Sequence, residues 1–307
     1  MVVYRRALFY IMSASQRYDL LNSRLERFTR MLHGLADGDV RALHGTRVAS
    51  RRLREILPVL ELDPDVTRRL GRRLRKVTER LGAVRELDVL SSLLEELHDS
   101  GRHDSATLAR LAAAVAEARA RARDRLFSKL PTGELRRIAN KLGRIAGDLR
   151  DHKKSSRGWR WAVEARLTHR ATVLKHALLE AGALYLPERL HAVRIALKKL
   201  RYALEVAVEA AGAPSANDLR TLKRGQDILG RLHDLQILID RSRQVQASVD
   251  PPDLTLWRNI DVLTTALEND CRRLHARFMR HQAAVRAVCD RVNRLKVATP
   301  ARRAAAS

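Results

Sequence analysis

The spacing of apolar residues is the feature that most constrains the fold of this chain. Apolar residues recur at intervals of three and four, as they do on one face of an α-helix. No segment alternates apolar and polar residues as a half-buried strand does, and the helix formers Leu, Ala, Arg and Glu dominate. The sequence therefore predicts an all-α protein.

Helix-breaking residues divide the chain into ten predicted helices. Asp63 and Pro64 offer an N-cap followed by proline in the first turn, and Pro58 is expected to kink its helix or end the regular part of it. The predicted helices span about 16–36, 39–61, 65–81, 85–99, 105–129, 134–150, 159–183, 187–212, 216–247 and 253–296.

Two motifs occur twice, in the same order. LHGTRVASRRLR (43–54) returns as LHAVRIALKKLR (190–201), and LRKVTERLGAVRELDVL (74–90) returns as LKRGQDILGRLHDLQIL (222–238) with its Leu-Gly pair kept. Two ordered motifs at nearly equal spacing indicate an internal duplication. We expect two antiparallel helical bundles related by a pseudo-two-fold axis, covering 16–150 and 157–298, with the polar segment 151–158 as their junction.

The first motif divides each of its helices into a leucine face and a cationic face. Charged faces on Arg-rich helices are usually just solvated surface, but like charges at intervals of three and four repel one another, and a histidine leads both copies. The repetition therefore favours a binding surface, and we expect the pseudo-symmetry to set the two stripes along one basic groove. Its candidate residues are His44, Arg47, Arg51, Arg52 and Arg54 in the first copy, and His191, Arg194, Lys198, Lys199 and Arg201 in the second. The helix after each copy adds Arg72, Arg73, Lys76 and Arg80, and Arg220, Lys223, Arg224 and Arg231.

The charge balance points to a polyanionic ligand. Lys and Arg number 60 against 35 Asp and Glu, which gives a formal net charge of +25 and makes any polyanion an attractive partner. Arginine binds phosphate oxygens in a bidentate manner, and lysine adds a point charge. A wall of such donors fits a long repeating anion better than a small metabolite.

These motifs resemble those of the CHAD family, the conserved-histidine α-helical domain. In both copies a histidine is followed by Arg or Lys three, seven, eight and ten residues later, and LGAVRELDVL and LGRLHDLQIL match the second signature of the family. The resemblance covers roughly 19–296 and implies two helical bundles whose basic surface binds inorganic polyphosphate at polyphosphate granules. It implies that the candidate histidines, arginines and lysines are the polyphosphate ligands. Because His233 and Gln236 stand where the first copy has Arg85 and Asp88, the second copy of this signature, LGRLHDLQIL, is expected to be mainly structural.

Two other function classes stay open. Non-specific nucleic-acid binding fits the charge, but only 4% of residues are aromatic, which disfavours base stacking. For an enzyme, phosphoryl chemistry needs carboxylates for Mg²⁺ or an activated nucleophile, and no such cluster, P-loop or zinc spacing stands out. His275 and His281 are a weak metal signal. We therefore expect no catalytic residues, no metal and no cofactor.

The expected location is the cytoplasm. Cys271 and Cys289 lie eighteen residues apart in one predicted helix, too far apart to form a disulfide bond within it. We therefore expect both to be reduced thiols, as in a cytosolic protein. No stretch approaches the length of a membrane span, and no signal-peptide pattern is convincing. We expect a cytoplasmic protein, associated with granules if it binds polyphosphate, and with no membrane partner.

Overall fold

The structure is a computed structural model that describes residues 14–35, 39–129, 132–151, 157–211, 216–248 and 253–294. Within these residues the chain forms α-helices, one 3-10 turn and their connections, and no strand. The predicted all-α fold is confirmed. The predicted junction at 151–158 falls largely outside the described residues.

Ten α-helices follow one another in the described part of the chain. They are α1 (Ala14–Leu35), α2 (Val40–Ile56), α3 (Pro64–Arg80), α4 (Gly82–Asp99), α5 (Ser105–Lys129), α6 (Thr132–Asp151), α7 (Arg157–Ala181), α8 (Pro187–Ala211), α9 (Ala216–Ala247) and α10 (Leu254–Arg294).

Local chemistry accounts for the bounds of the second and third helices. The Asp39 carboxylate accepts hydrogen bonds from two first-turn backbone N–H groups of α2, and Asp63 does the same for α3 ahead of Pro64. The prediction that the second helix runs to residue 61 is wrong. It ends at Ile56 and a 3-10 turn follows, because Pro58 supplies no backbone donor.

The helices of the second half pack in a ring. Helix α7 packs on α8, α8 on α9, α9 on α10, and α10 returns to α7. In the first half α2 packs on α1 and α3, and α6 packs on α1. In the described part α3 and α6 make almost no close backbone approach, so this side of the first half is open.

Two apolar cores hold the helices together, and each draws on both halves. The larger core includes Leu53 of α2 and Leu197 of α8, both fully buried. The smaller core joins Leu93 and Leu111 of α4 and α5 to Leu238 of α9 and helix α10. The two-unit division and the duplication stay predictions, since this packing does not test ancestry.

A buried ion cluster fastens α2 to α7. The Glu55 carboxylate lies 2.7 Å from an Nη atom of Arg166 and 3.5 Å from one of Arg170, and its side chain is only 5% exposed. Cys271 and Cys289 are both buried as free thiols. Within the described residues no helix is long and apolar enough to cross a membrane.

Candidate anion-binding site

Helices α2 and α8 carry the two copies of the first motif and turn their cationic faces toward each other. Their leucines, such as Leu43 and Leu190, are buried in the larger core. This burial fixes the rotation of each helix about its axis. The histidine and the cationic side chains of each stripe are thereby directed away from the core.

The two stripes line one cavity of about 460 Å³, which we call the central cavity. Helices α4 and α9, which carry the second motif, supply the remaining walls. The lining residues are His44, Arg47 and Arg51 of α2; Gly82, Arg85, Glu86, Val89 and Leu90 of α4; Arg194, Lys198 and Tyr202 of α8; and Gln226, Asp227, Gly230, Arg231, His233, Asp234 and Ile237 of α9.

Besides Arg85 of α4, four cations of this cavity form no ion pair with a described carboxylate: Arg47, Arg51, Arg194 and Lys198. Asp234 of the lining acts on Arg194 through its charge but forms no ion pair with it. The Nε atoms of Arg47, Arg51 and Arg194 are also buried without a hydrogen-bond partner in the protein. Buried donors that lack an acceptor are costly, and native structures contain few of them. An anionic ligand in the cavity would supply the missing acceptors.

The pKa values show that the two copies act on each other across the cavity. Burial lowers the pKa of Arg47 to about 10, with further lowering by Arg51 and by Arg194 on the opposite helix. Burial also lowers the pKa of Lys198 to about 7, and Arg51 and Arg194 add to the shift. The free cavity therefore disfavours its own positive charges.

Burial and nearby cations also lower the pKa of the histidines at the site. Burial, then the Arg85 charge, lowers the pKa of His44, and burial, then Arg194, lowers that of His191. Burial and the charge of Arg194 lower the pKa of His233 to about 4. The rings of His191 and His233 lie 4.6 Å apart between centroids, with their Nδ1 atoms 3.4 Å apart.

Two glycines keep the cavity open, and both belong to the repeated Leu-Gly pair. A Cβ atom on Gly230 would meet nothing within 4 Å, and one on Gly82 would meet only the Arg47 guanidinium, at 3.9 Å or beyond. Neither glycine is needed for close packing. Gly230 lies inside α9, where glycine costs about 1 kcal/mol relative to alanine, whereas Gly82 is the first residue of α4. The space beside them is the cavity itself.

Other members of the predicted stripes are neutralised by a carboxylate. Glu205 pairs with Arg201 on its own helix and lies 3.7 Å from an Nη atom of Arg52 on α2. Arg54 and Lys199 stand outside the lining of the cavity, and burial is the main cause that lowers both pKa values.

The candidates on α3 and α9 lie mostly outside the central cavity. Arg72 and Lys76 are exposed on α3, and Arg80 lies 3.6 Å from Glu134 of α6. Arg220, Lys223, Arg224 and Arg231 line a separate groove of about 350 Å³ between α9 and α10. Of these, only Arg231 also reaches the central cavity.

The groove between α9 and α10 carries carboxylate partners for its cations. The Lys223 ammonium lies 2.6 Å from a carboxylate oxygen of Asp227, and an Nη atom of Arg231 lies 2.7 Å from one of Glu96. Its positive charge is therefore partly compensated.

The sequence-based prediction of the site omitted Arg85, Tyr202 and His233. Arg85 and His233 are aligned positions of the second motif, so their shared place in the repeat was a usable signal. The expectation that the second copy of this signature is mainly structural stays a prediction, although Gly230, His233 and Asp234 of that copy line the cavity.

The two histidines of the weak metal signal do not share a site. The His275 ring lies 5.4 Å from the Tyr185 ring, between centroids. The Nε2 atom of His281 lies 2.9 Å from the carbonyl oxygen of Thr221. Among the described residues no group of three or more His, Cys, Asp and Glu side chains is arranged to hold a metal ion.

Comparisons with known proteins found a matching family and similar folds. The sequence pattern of the CHAD domain matches residues 19–243. The fold resembles the crystal structure of the CHAD domain from the plant Ricinus communis, with TM-score 0.59 and 21% identity over 90% of this chain and 91% of that chain. It also resembles PptA from Streptomyces chartreusis, with TM-score 0.58 and 20% identity over 91% and 98%. No curated protein matches the sequence.

Proposed function

The chain belongs to the CHAD domain family, and from this premise we propose that it binds inorganic polyphosphate in the central cavity. The family is linked to polyphosphate. The observation that carries the proposal is the set of four cations, drawn from both motif copies, that face one cavity and form no ion pair with a described carboxylate.

Phosphate chains suit the chemistry of this cavity. Each phosphate can accept two parallel hydrogen bonds from an arginine, and these charge-assisted bonds are stronger than neutral ones. His44 of the lining can donate one hydrogen bond from its ring when neutral and two when protonated, whereas His191 lies outside the lining, beside His233. The negative charge of a chain also removes the repulsion that lowers the pKa of Lys198, so binding stabilises the protonated lysine.

The shape of the cavity favours a single phosphate chain over nucleic acid. A volume of about 460 Å³ admits an unbranched chain but excludes a duplex, which could contact only the rim. Single-stranded nucleic acid is held largely by stacking on aromatic rings. Tyr202 is the aromatic residue of the lining, and with 6% exposure its ring is packed rather than offered to a base.

The proposal also states that the protein does not hydrolyse polyphosphate or transfer its phosphates, and where in the cell the protein is located. Three carboxylates line the cavity, Glu86, Asp227 and Asp234, and Asp227 pairs with Lys223 at 2.6 Å. In the described part of the chain, no group of three or more His, Cys, Asp and Glu side chains is arranged to hold a metal ion. We therefore propose a binding protein rather than a phosphatase or kinase, one that long chains recruit to polyphosphate granules in the cytoplasm. Phosphate release from polyphosphate, followed over time in the binding samples, tests the first part.

The decisive variant is Arg51→Ala with Lys198→Ala. Its affinity for long-chain polyphosphate should fall roughly 100-fold, because two charge-assisted contacts at about 1.5 kcal/mol each are lost. Titration calorimetry at fixed salt measures the loss. Arg110→Ala with Arg258→Ala is the matched control, since both arginines are exposed and lie away from the cavity.

The same titrations separate the two ligand classes. Duplex DNA with an equal number of phosphates should bind more weakly than polyphosphate, and the cavity variant should affect DNA no more than the control does. Equal affinity for both anions would remove the case for a polyphosphate site. So would a cavity variant that binds polyphosphate as the control does.

A further inference from the structure

A second basic groove lies between α3 and α6, on the open side of the first half. It has a volume of about 360 Å³. Its lining residues, which define the α3–α6 groove, are Val66, Arg69, Leu70, Arg73, Arg137, Asn140, Lys141 and Arg144. None of them lines the central cavity.

The two banks of this groove are matching faces of two antiparallel helices. On each helix the lining residues follow the spacing i, i+3, i+4 and i+7, which places them on one face. Arg80 near the end of α3 pairs with Glu134 in the first turn of α6, so the helices run in opposite directions and the pair bridges one end of the groove.

The groove has cations on both banks and no carboxylate in its lining. Arg69 and Arg73 lie on α3, and Arg137, Lys141 and Arg144 lie on α6. Arg69 and Arg137 each donate from Nε to a backbone carbonyl four residues earlier. None of the five forms an ion pair with a described residue.

This charge is not the ordinary pattern of a solvated helix pair. Like charges at i and i+4 destabilise a helix, and Arg69 with Arg73 and Arg137 with Lys141 are such pairs. Two such helices side by side add repulsion between them. The groove between α9 and α10 shows the usual remedy, since Asp227 and Glu96 neutralise two of its cations there.

We propose that the α3–α6 groove is a second binding site for phosphate-chain anions, separate from the central cavity. An anion between the banks contacts cations of both helices at once, and the arginines offer the bidentate geometry that phosphate accepts. The buried Leu70 and half-buried Val66 form an apolar floor without acceptors that would compete with the ligand. The choice of ligand class rests on the proposed function.

The surface between the two sites is basic on balance. Glu79 pairs with Arg75 there. Arg54, Arg72 and Lys76 form no ion pair with a described residue. Arg54 lies near enough to Arg75 of α3 for the charge of Arg75 to contribute to lowering the pKa of Arg54. Arg72 and Lys76 occupy the exposed face of α3 between Arg75 and the groove. One long chain can therefore leave the central cavity and continue over α3 into the groove, which raises the effective concentration at the second site.

Stoichiometry with a short probe tests the proposal. Tripolyphosphate is too short to occupy both sites at once, so calorimetry of the full chain should give two bound molecules. Arg73→Ala with Lys141→Ala should remove one of them. Arg51→Ala with Lys198→Ala should remove the other, and the exposed control Arg110→Ala with Arg258→Ala should keep both. Circular dichroism checks that each variant is folded.

The possible results separate this inference from the proposed function. A groove variant that keeps both bound molecules overturns the second site, whatever the cavity variant does. If the cavity variant still binds two tripolyphosphate molecules and the groove variant binds only one, the proposed function is overturned and the site in the groove is supported. If all variants, the exposed control included, lose bound tripolyphosphate equally, there is no phosphate-chain site in the groove. The same follows if the groove variant loses more affinity for duplex DNA than for tripolyphosphate.

Discussion

Lys198 lies on the wall of the central cavity among arginines from both motif copies. Burial, then Arg51 and Arg194, lowers its pKa from 10.5 to about 7. Between pH 7 and 10.5 the unfolded chain therefore binds a proton that the folded protein does not. Stability must rise with pH across this window, and the full repulsive cost is present below pH 7.

Replacing Lys198 with methionine should raise the midpoint of thermal unfolding without ligand by a few degrees at pH 6.5. The gain should shrink steadily toward pH 10, because the folded wild type then holds Lys198 neutral and the cost of removing its proton falls as the pH approaches 10.5. Differential scanning calorimetry of both proteins at several pH values measures it. Lys198→Arg, which stays charged, should show no such gain. A gain that does not depend on pH would contradict the assignment.

Some of this residue chemistry was readable from the sequence. Helical spacing places Lys198 and Arg201 on one charged stripe. Glu205, four residues after Arg201, was a usable signal that Arg201 is paired, which the sequence-based prediction of the site omitted. The duplication predicted that the two stripes line one groove, but the particular approach of Lys198 to Arg47 depends on how α2 packs against α8.

Helix α9 runs unbroken through the Leu-Gly pair at Leu229 and Gly230, whereas the equivalent stretch of the first half is divided into α3 and α4 at Leu81. Gly230 lies in the interior of α9 and faces the central cavity. It therefore weakens the helix and leaves room for a ligand at the same time.

Two substitutions at Gly230 should separate these roles. Gly230→Ala should raise the free energy of unfolding by about 0.5–1 kcal/mol and change polyphosphate binding little. Gly230→Leu should keep a similar helical gain but weaken polyphosphate binding at least tenfold, because its side chain occupies the cavity. Urea denaturation and calorimetric titration measure the two effects. Equal affinity of both variants would show that the ligand does not use this space.

The helices themselves were largely predictable, because breakers and caps act within a few residues. Asp63 and Pro64 define the start of α3 in sequence and in structure. The position of α4 was not predictable. Leu90 and Leu93 pack on helices of the other half. The spacing of leucines along a helix does not specify which helix packs against them.

The molecule as a whole is joined by its smaller core. Helices α4 and α5 come from the first half of the chain, yet Leu93 and Leu111 are buried beside Leu238 and Leu263 of α9 and α10. If the halves were separated, these leucines would be exposed to solvent. The exposure of each would cost about 1.5–3 kcal/mol.

The fragments 16–150 and 157–298 should therefore fail to fold cooperatively when produced separately. Far-ultraviolet circular dichroism on heating should show a broad transition for 16–150 and a lowered midpoint for 157–298, whereas the intact chain should melt in one sharp step. Mixing the fragments should restore part of the cooperativity. Two fragments that melt sharply at the midpoint of the intact chain would show that the halves are independent domains.

The uncompensated charge of the central cavity also bears on how long the protein persists in a cell. A ligand that binds only the folded state stabilises it by RT ln(1 + [L]/Kd), and proteases act on the transiently unfolded fraction. Cells rich in the anion would thus degrade the protein slowly, and cells depleted of it would clear it quickly. The abundance of the protein would follow the supply of its ligand without any change in gene expression.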